Sequence, residues 1–323
     1  SSSVLASRTG CWPRPAVSDS AAGAARAGPL RVIRMRTVLL AACVAAVAVT
    51  AAAAPKKSPA APAKPAAPSA PGPADWRAPD PNDVLVIDTN KGRILVEMVP
   101  EVAPQHVARM RELAHENFFD GLRFFRVVEN FMDQTGDPQN TGQGGSSKPN
   151  VPGEFTFRRG SDLNFVVAAD QSVAEVGFVK SLPVMSQSMM LAPMTKDQKV
   201  SAWGLFCPGV AGMARDDNPD SANSQFFLMR AGYPALEKRY TAFGRVISGM
   251  DVVLAIKVGE PVADPQDRME RVRLLADLAD KDRPKVRVID PKGPWFKAEI
   301  ARARALKGAD FSACDVEIPV EVK

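Results

Sequence analysis

Histidine, tyrosine and cysteine are scarce in this 323-residue chain, which has two, two and four of them respectively. With only His106 and His115 to draw on, and no Cys-x-x-Cys pair anywhere, a metal site has little to be built from. Both histidines fall on one predicted helix, where a solvated face is the plainest reading. No Ser or Cys is placed near a His in a way that suggests nucleophilic catalysis. A surplus of one charge is missing too. Of the 41 basic and 36 acidic residues, six arginines and Asp19 lie within 1–54, which leaves 35 of each sign in the rest. A neutral body gives no support to a nucleic-acid partner. The apolar run Val38 to Val49 stops short of the about 20 residues that a membrane span needs. The glycines of "TGQGGSS" (141–147) are followed by neither Gly-Lys-Ser nor Gly-Lys-Thr, so no phosphate-cradling loop and no cofactor are expected.

What the front of the chain does contain is the order of a secretory signal. Met35 and Arg36 form a short positive end, Val38 to Val49 an apolar run, and Ala51–Ala54 a small-residue exit with a cut near Ala54. Met35 is then the expected start, residues 1–34 are upstream sequence, and the mature protein is expected in a bacterial periplasm. "LAAC" (Leu40 to Cys43) is similar to a lipobox, so a lipid anchor on Cys43 is the lesser alternative; without it, no stable membrane insertion is expected after cleavage. Residues 55–82 are so rich in proline and alanine that they read as an extended tether. The folded part is expected over 83–280, interrupted by an insertion at about 171–206, with 281–323 as an extension packed on it. Of the cysteines, Cys207 and Cys314 lie beyond the front segment. They are either paired or separately buried, and sequence alone leaves both open.

Hydrophobic periodicity predicts the elements. "VLVIDT" and "RILVEM", joined by "NKG", read as a hairpin. Val107, Met110, Leu113, Ala114 and Phe118 then fall on one helical stripe, with Pro104 in the first turn and Gly121 past the end. Further strands are predicted at "LRFFRVV", "FMDQTGD", "LNFVVAAD", "SQFFLMR", "RYTAFGRVISG" and "ERVRLLADL", with a helix at "MDVVLAIKVGE". The Met-rich stretch within 171–206 reads as an adaptable flap or, more plainly, as an extra pair of strands. Hairpin, helix, many short strands, helix, strand is a mainly β pattern. It favours a closed antiparallel barrel, with helices covering its ends, over a sandwich.

One strand raises a question. "FFRVVENFMDQTGD" (124–137) is too apolar for a solvated strand, yet it carries Arg126 and Gln134. Read together with "NSQFFLMR" and "LEKRYTAFGRV", it resembles the signature segments of cyclophilins, the peptidyl-prolyl cis-trans isomerases, over about 83–262. The resemblance implies a closed eight-stranded antiparallel barrel capped by two helices, proline-containing polypeptides as substrates, and a catalytic arginine at Arg126. It also implies substrate contacts at Phe131, Met132, Gln134, Ala214, Gln225, Phe227, Leu236 and Tyr240. Phe125 and Tyr240 stand where histidines are common, Arg215 replaces an asparagine, and Ala235 replaces a tryptophan, which implies weak cyclosporin binding. The insertion is similar in placement to that of thylakoid-lumen cyclophilins. It keeps a second reading in view: a non-catalytic chaperone whose barrel only binds chains.

Overall fold

In the computed structural model of the protein, residues 66, 68–171 and 173–323 are described. Met35, Cys11, Cys43, the signal-like run and the first part of the tether lie outside them. The chain enters its fold at β1 (Trp76–Arg77) and continues into β2 (Val84–Thr89) and β3 (Gly92–Met98), which pair antiparallel across a tight turn. Side chains alternate across a strand. Leu85, Ile87, Ile94, Val96 and Met98 therefore enter one buried cluster, while Val84, Val86 and Leu95 enter another. Covering both faces explains why these runs are continuously apolar.

Helix α1 (Pro104–His115) begins on a proline, whose missing N–H is no loss in the first turn. The Glu154 carboxylate, from a distant loop, accepts the next two backbone donors, Gln105 N at 3.1 Å and His106 N at 3.0 Å. Val107, Met110, Leu113 and Ala114 bury on the first cluster, with Phe118 packed beside them. His106 corrects the solvated-face reading. It is fully buried, and its Nδ1 lies 2.7 Å from Glu154 Oε2. It precedes Met110 and Leu113 at i, i+4, i+7 spacing, so it belongs to the apolar stripe. His115 is exposed and pairs with Asp277 at 2.8 Å.

After α1 come β4 (Arg126–Val128) and β5 (Met132–Thr135), then β6 (Phe157–Arg159), β7 (Phe165–Gln171), β8 (Ala174–Val179), β9 (Leu182–Gln187) and β10 (Val200–Gly204). The chain closes with β11 (Val210–Met213), β12 (Phe226–Met229), β13 (Ala242–Ser248), α2 (Met250–Ala255), β14 (Met269–Leu274), β15 (Val286–Ile289), α3 (Pro294–Lys307) and β16 (Val320–Val322). Eight strands form one antiparallel sheet in the order β14-β2-β3-β13-β11-β12-β5-β4. The result is a mainly β, strongly curled half-barrel around the first cluster, with β14 and β4 at the two ends of its ladders. Gly136 ends β5 at φ +89°, where a Cβ would stand 2.3 Å from the Ser224 carbonyl oxygen, so only glycine fits.

A second sheet of five strands, β6-β10-β9-β8-β7, spans residues 157–204. Gln171 pairs with Ala174 at the closed end of the β7–β8 hairpin. The sheet therefore takes in residues on both sides of position 171, and it contains more than one extra pair of strands. Phe178, Leu182, Val184 and Ala202 bring it into a cluster with Phe227 and Met229 of the half-barrel and with Phe296 and Ile300 of α3.

The C-terminal residues form a third sheet, β1-β15-β16, whose Val286 and Val288 cover Val84, Val86 and Leu95. Ordered structure thus begins before Asp83, because Trp76 finds its ladder partner, Ile289, far along the chain. Glu97 is buried on β3, where Arg77 grips it at 2.5 and 2.8 Å and Ser181 N donates to it at 3.2 Å. One carboxylate so joins the entry segment, the half-barrel and the inserted sheet. Cys207 and Cys314 form a disulfide with a Cα–Cα distance of 5.2 Å. Among the described residues no helix is long and apolar enough to cross a membrane.

Candidate active site

Strand register builds the site. Arg126 stands opposite Gln134, Gln134 opposite Phe227, and Phe227 opposite Gly212. Directly paired residues project to the same side of a sheet, so β4, β5 and β12 present Arg126, Gln134 and Phe227 in a row on the outer face. Met132 joins them two residues from Gln134. The alternate residues Asp133, Phe226 and Leu228 turn the other way. Gly212 makes room for the row: a Cβ there would lie 2.5 Å from the Phe227 ring.

Hydrogen bonds link the polar members. Arg126 Nη1 donates to Gln134 Oε1 at 3.3 Å, Gln134 Nε2 to Gln225 Oε1 at 2.9 Å, and Gln225 Nε2 to the Gly144 carbonyl at 2.7 Å. Each amide is thereby oriented by the next one, back to a fixed backbone oxygen. Arg126 Nε donates to Glu260 Oε1 at 2.7 Å, and its guanidinium lies 5.9 Å from the Phe131 ring centroid.

The apolar members form a buried bed. Met132, Phe227, Leu236, Ala214 and Tyr240 are all buried, and Phe131 is half-buried with its ring 4.5 Å from that of Tyr233. Phe227 stacks on Phe206 at 6.0 Å and meets Tyr240 edge-on at 6.3 Å. Arg215 lies over Tyr240 at 4.4 Å. A cavity of about 290 Å³ adjoins this bed. Of the expected contacts, Gln134, Ala214 and Gln225 line it, together with Arg215, Asn223 and the Gly142–Gly145 turn. The space is polar-lined, while Phe227 packs against Phe206, in the segment between β10 and β11, and against Tyr240.

Behind the row, the Asp133 carboxylate is fully buried. Burial pushes it up to about 7, against the pull of Arg230, whose Nη1 lies 3.0 Å away; the nearby Asp267 adds to the rise. Arg230 also donates to the carbonyls of Val253 and Leu254 at 2.9 and 2.8 Å, bracing the end of α2 and the segment after it. That segment is zipped to β4: Val127 N donates to Gly259 O at 2.8 Å, Gly259 N to Val127 O at 2.9 Å, and Val262 N to Phe125 O at 2.9 Å. Glu260 is thus delivered beside Arg126. Sequence reasoning missed Glu260, Tyr233 and the Arg230–Asp133 pair. "KVGEPVADPQD" carries no periodic pattern that would have marked Glu260. Among the described residues there is no cluster of His, Cys, Asp or Glu able to hold a metal ion.

A curled eight-stranded half-barrel that offers an arginine, two linked glutamines and an aromatic bed on its outer face has a cyclophilin-type architecture. The profile of the family "Cyclophilin type peptidyl-prolyl cis-trans isomerase/CLD" matches residues 84–275. A "Probable peptidyl-prolyl cis-trans isomerase" of Brucella suis is 32% identical over 193 residues, covering 56% of this chain and 75% of the relative. "Peptidyl-prolyl cis-trans isomerase ppi1" of Schizosaccharomyces pombe is 29% identical, covering 60% of this chain and 96% of the relative. The crystal structure of cyclophilin AquaCyp293 from Hirschia baltica superposes with a TM-score of 0.71 at 34% identity, covering 77% of this chain and 94% of that one. The chain belongs to the cyclophilin-type peptidyl-prolyl cis-trans isomerase family, and its activity class is that of an isomerase.

Proposed function

We propose that Arg126 is the catalytic residue and that the row it heads accelerates rotation of X-Pro bonds without any covalent step. Amide resonance sets a barrier of about 20 kcal/mol, which makes the uncatalysed rotation slow. At the twisted transition state the prolyl nitrogen becomes pyramidal and gains a lone pair. A donor aimed at that lone pair stabilises the twisted state more than either planar isomer. Arg126 suits the task, being permanently charged with a rigid fork of donors, and Gln134 orients it or meets the substrate backbone. Phe131, Met132, Phe227 and Leu236 hold the proline ring, with Ala214, Gln225 and Tyr240 as further substrate contacts. The observation that carries this reading is the 3.3 Å Arg126–Gln134 bond in register with Phe227 on one sheet face.

Substrates are proline-containing polypeptides, in keeping with the family's name, and folding of exported proteins is the proposed setting. The segment 35–54 supports export, and the Cys207–Cys314 disulfide suits an oxidising compartment. We also infer that the half-barrel works as a closed one. Bonds from Phe124 N to Asp267 O at 2.9 Å and from Met269 N to Leu122 O at 2.8 Å support this, running between the chain before β4 and the start of β14.

The second reading, a chaperone without catalysis, draws on the burial of Met132 and Phe227 and on Met190 and Met194, 81% and 82% exposed in the inserted region. Isomerisation of a short X-Pro peptide separates the two. Arg126→Ala is expected to lower the rate by roughly 10²-fold, the loss typical of a removed transition-state donor, and Arg126→Lys to recover little of it. Equal rates for wild type and Arg126→Ala would leave the binding module standing.

A further inference from the structure

We propose that Glu260 is a positioning residue that holds the Arg126 guanidinium in its working orientation. This rests on the reading of Arg126 as the donor to the prolyl nitrogen. The contacts of the guanidinium include Gln134 at Nη1 and Glu260 at Nε. Contacts at both places favour one orientation of its plane. The Glu260 contact is the shorter by a clear margin, at 2.7 Å against 3.3 Å, so the tighter anchor comes from outside the signature segments.

The backbone under Glu260 is braced on every side, which an orienting group requires. Gly259 exchanges both backbone bonds with Val127, and Val262, itself buried, donates to Phe125. Lys257 N donates to the buried Asp267 at 2.8 Å, and Arg230 holds the carbonyls at the end of α2. A Cβ on Gly259 would lie 2.6 Å from Val262 Cα, so the chain turns back on itself directly beside Glu260. Glu260 is 59% exposed while Arg126 is 18% exposed. An ion pair with one solvated partner adds little to stability. Its contribution lies in geometry, where a misaligned donor is costly to rate.

The test compares Glu260→Ala and Glu260→Gln with wild type and Arg126→Ala on a short X-Pro peptide, resolving kcat from KM and recording the Arg126 Nε–H signal by NMR. Glu260→Ala should lower kcat roughly tenfold with KM unchanged, since only a transition-state contact is disturbed. Glu260→Gln keeps an acceptor oxygen in the same place, so it should regain most of kcat and retain a slowly exchanging Nε–H signal that Glu260→Ala loses. An unchanged kcat in Glu260→Ala would overturn the proposal, as would a raised KM alone or a Gln variant as slow as the Ala variant. If Arg126→Ala matches wild type, the failure lies with the catalytic reading itself. If Arg126→Ala is slow while Glu260→Ala is not, only the positioning role falls.

Discussion

Removing the disulfide from its exposed end should cost this protein much of its stability without opening a hole in it. Cys207 is fully buried beside Phe206, whereas Cys314 lies exposed in a short 3-10 turn near the C-terminus. Cys314→Ala therefore breaks the link and leaves Cys207 as a small buried apolar residue. The bond closes a loop with a sequence separation of 107. For a loop of this length, chain entropy assigns the cross-link about 4–5 kcal/mol, by its constraint on the unfolded chain. With a urea slope near 2–3 kcal/mol per molar for a domain of this size, the denaturation midpoint should fall by about 2 M. Urea titrations of wild type, reduced wild type and Cys314→Ala, followed by far-UV circular dichroism, supply the check. The two perturbed proteins should coincide. A midpoint within a few tenths of a molar of wild type would refute the reasoning, because it would mean that the unfolded chain is already constrained without the bond.

Two other outcomes follow from single residues. Gly136→Ala places a Cβ against the Ser224 carbonyl in a left-handed backbone, and should lower unfolding stability by about 2 kcal/mol or more in the same titration. Asp133 bears on pH. Its folded value, near 7, lies above its ordinary 3.8, so between those values the native state keeps a proton that the unfolded chain releases. The stability that this neutral carboxyl contributes is complete below the ordinary value and is lost as pH rises through the folded one. Urea midpoints should therefore decline across that window in wild type, and Asp133→Asn should flatten the decline; an equal slope in both would show that Asp133 stays ionised.

Local patterns carried a large part of the fold. The alternation of "VLVIDT" and "RILVEM", the stripe Val107–Met110–Leu113–Ala114, and the segments around Arg126, Gln134, Gln225 and Phe227 were all legible, because strand and helix periods are properties of neighbouring residues. From these the mainly β class and the family followed. His106 was misread because a helical stripe marks a buried flank only once its partner is known, and that partner, Glu154, arrives from another loop. The bound at Asp83 failed for a similar reason, since β1 exists only where Ile289 can pair with Trp76. Tertiary structure alone decided that Glu260, 134 residues from Arg126 along the chain, accepts a hydrogen bond from the guanidinium. It also decided that Phe206 closes the far side of Phe227, and that Cys207 meets Cys314. Each of these contacts depends on where the curled sheet brings distant segments together, and a sequence period has no information about that distance.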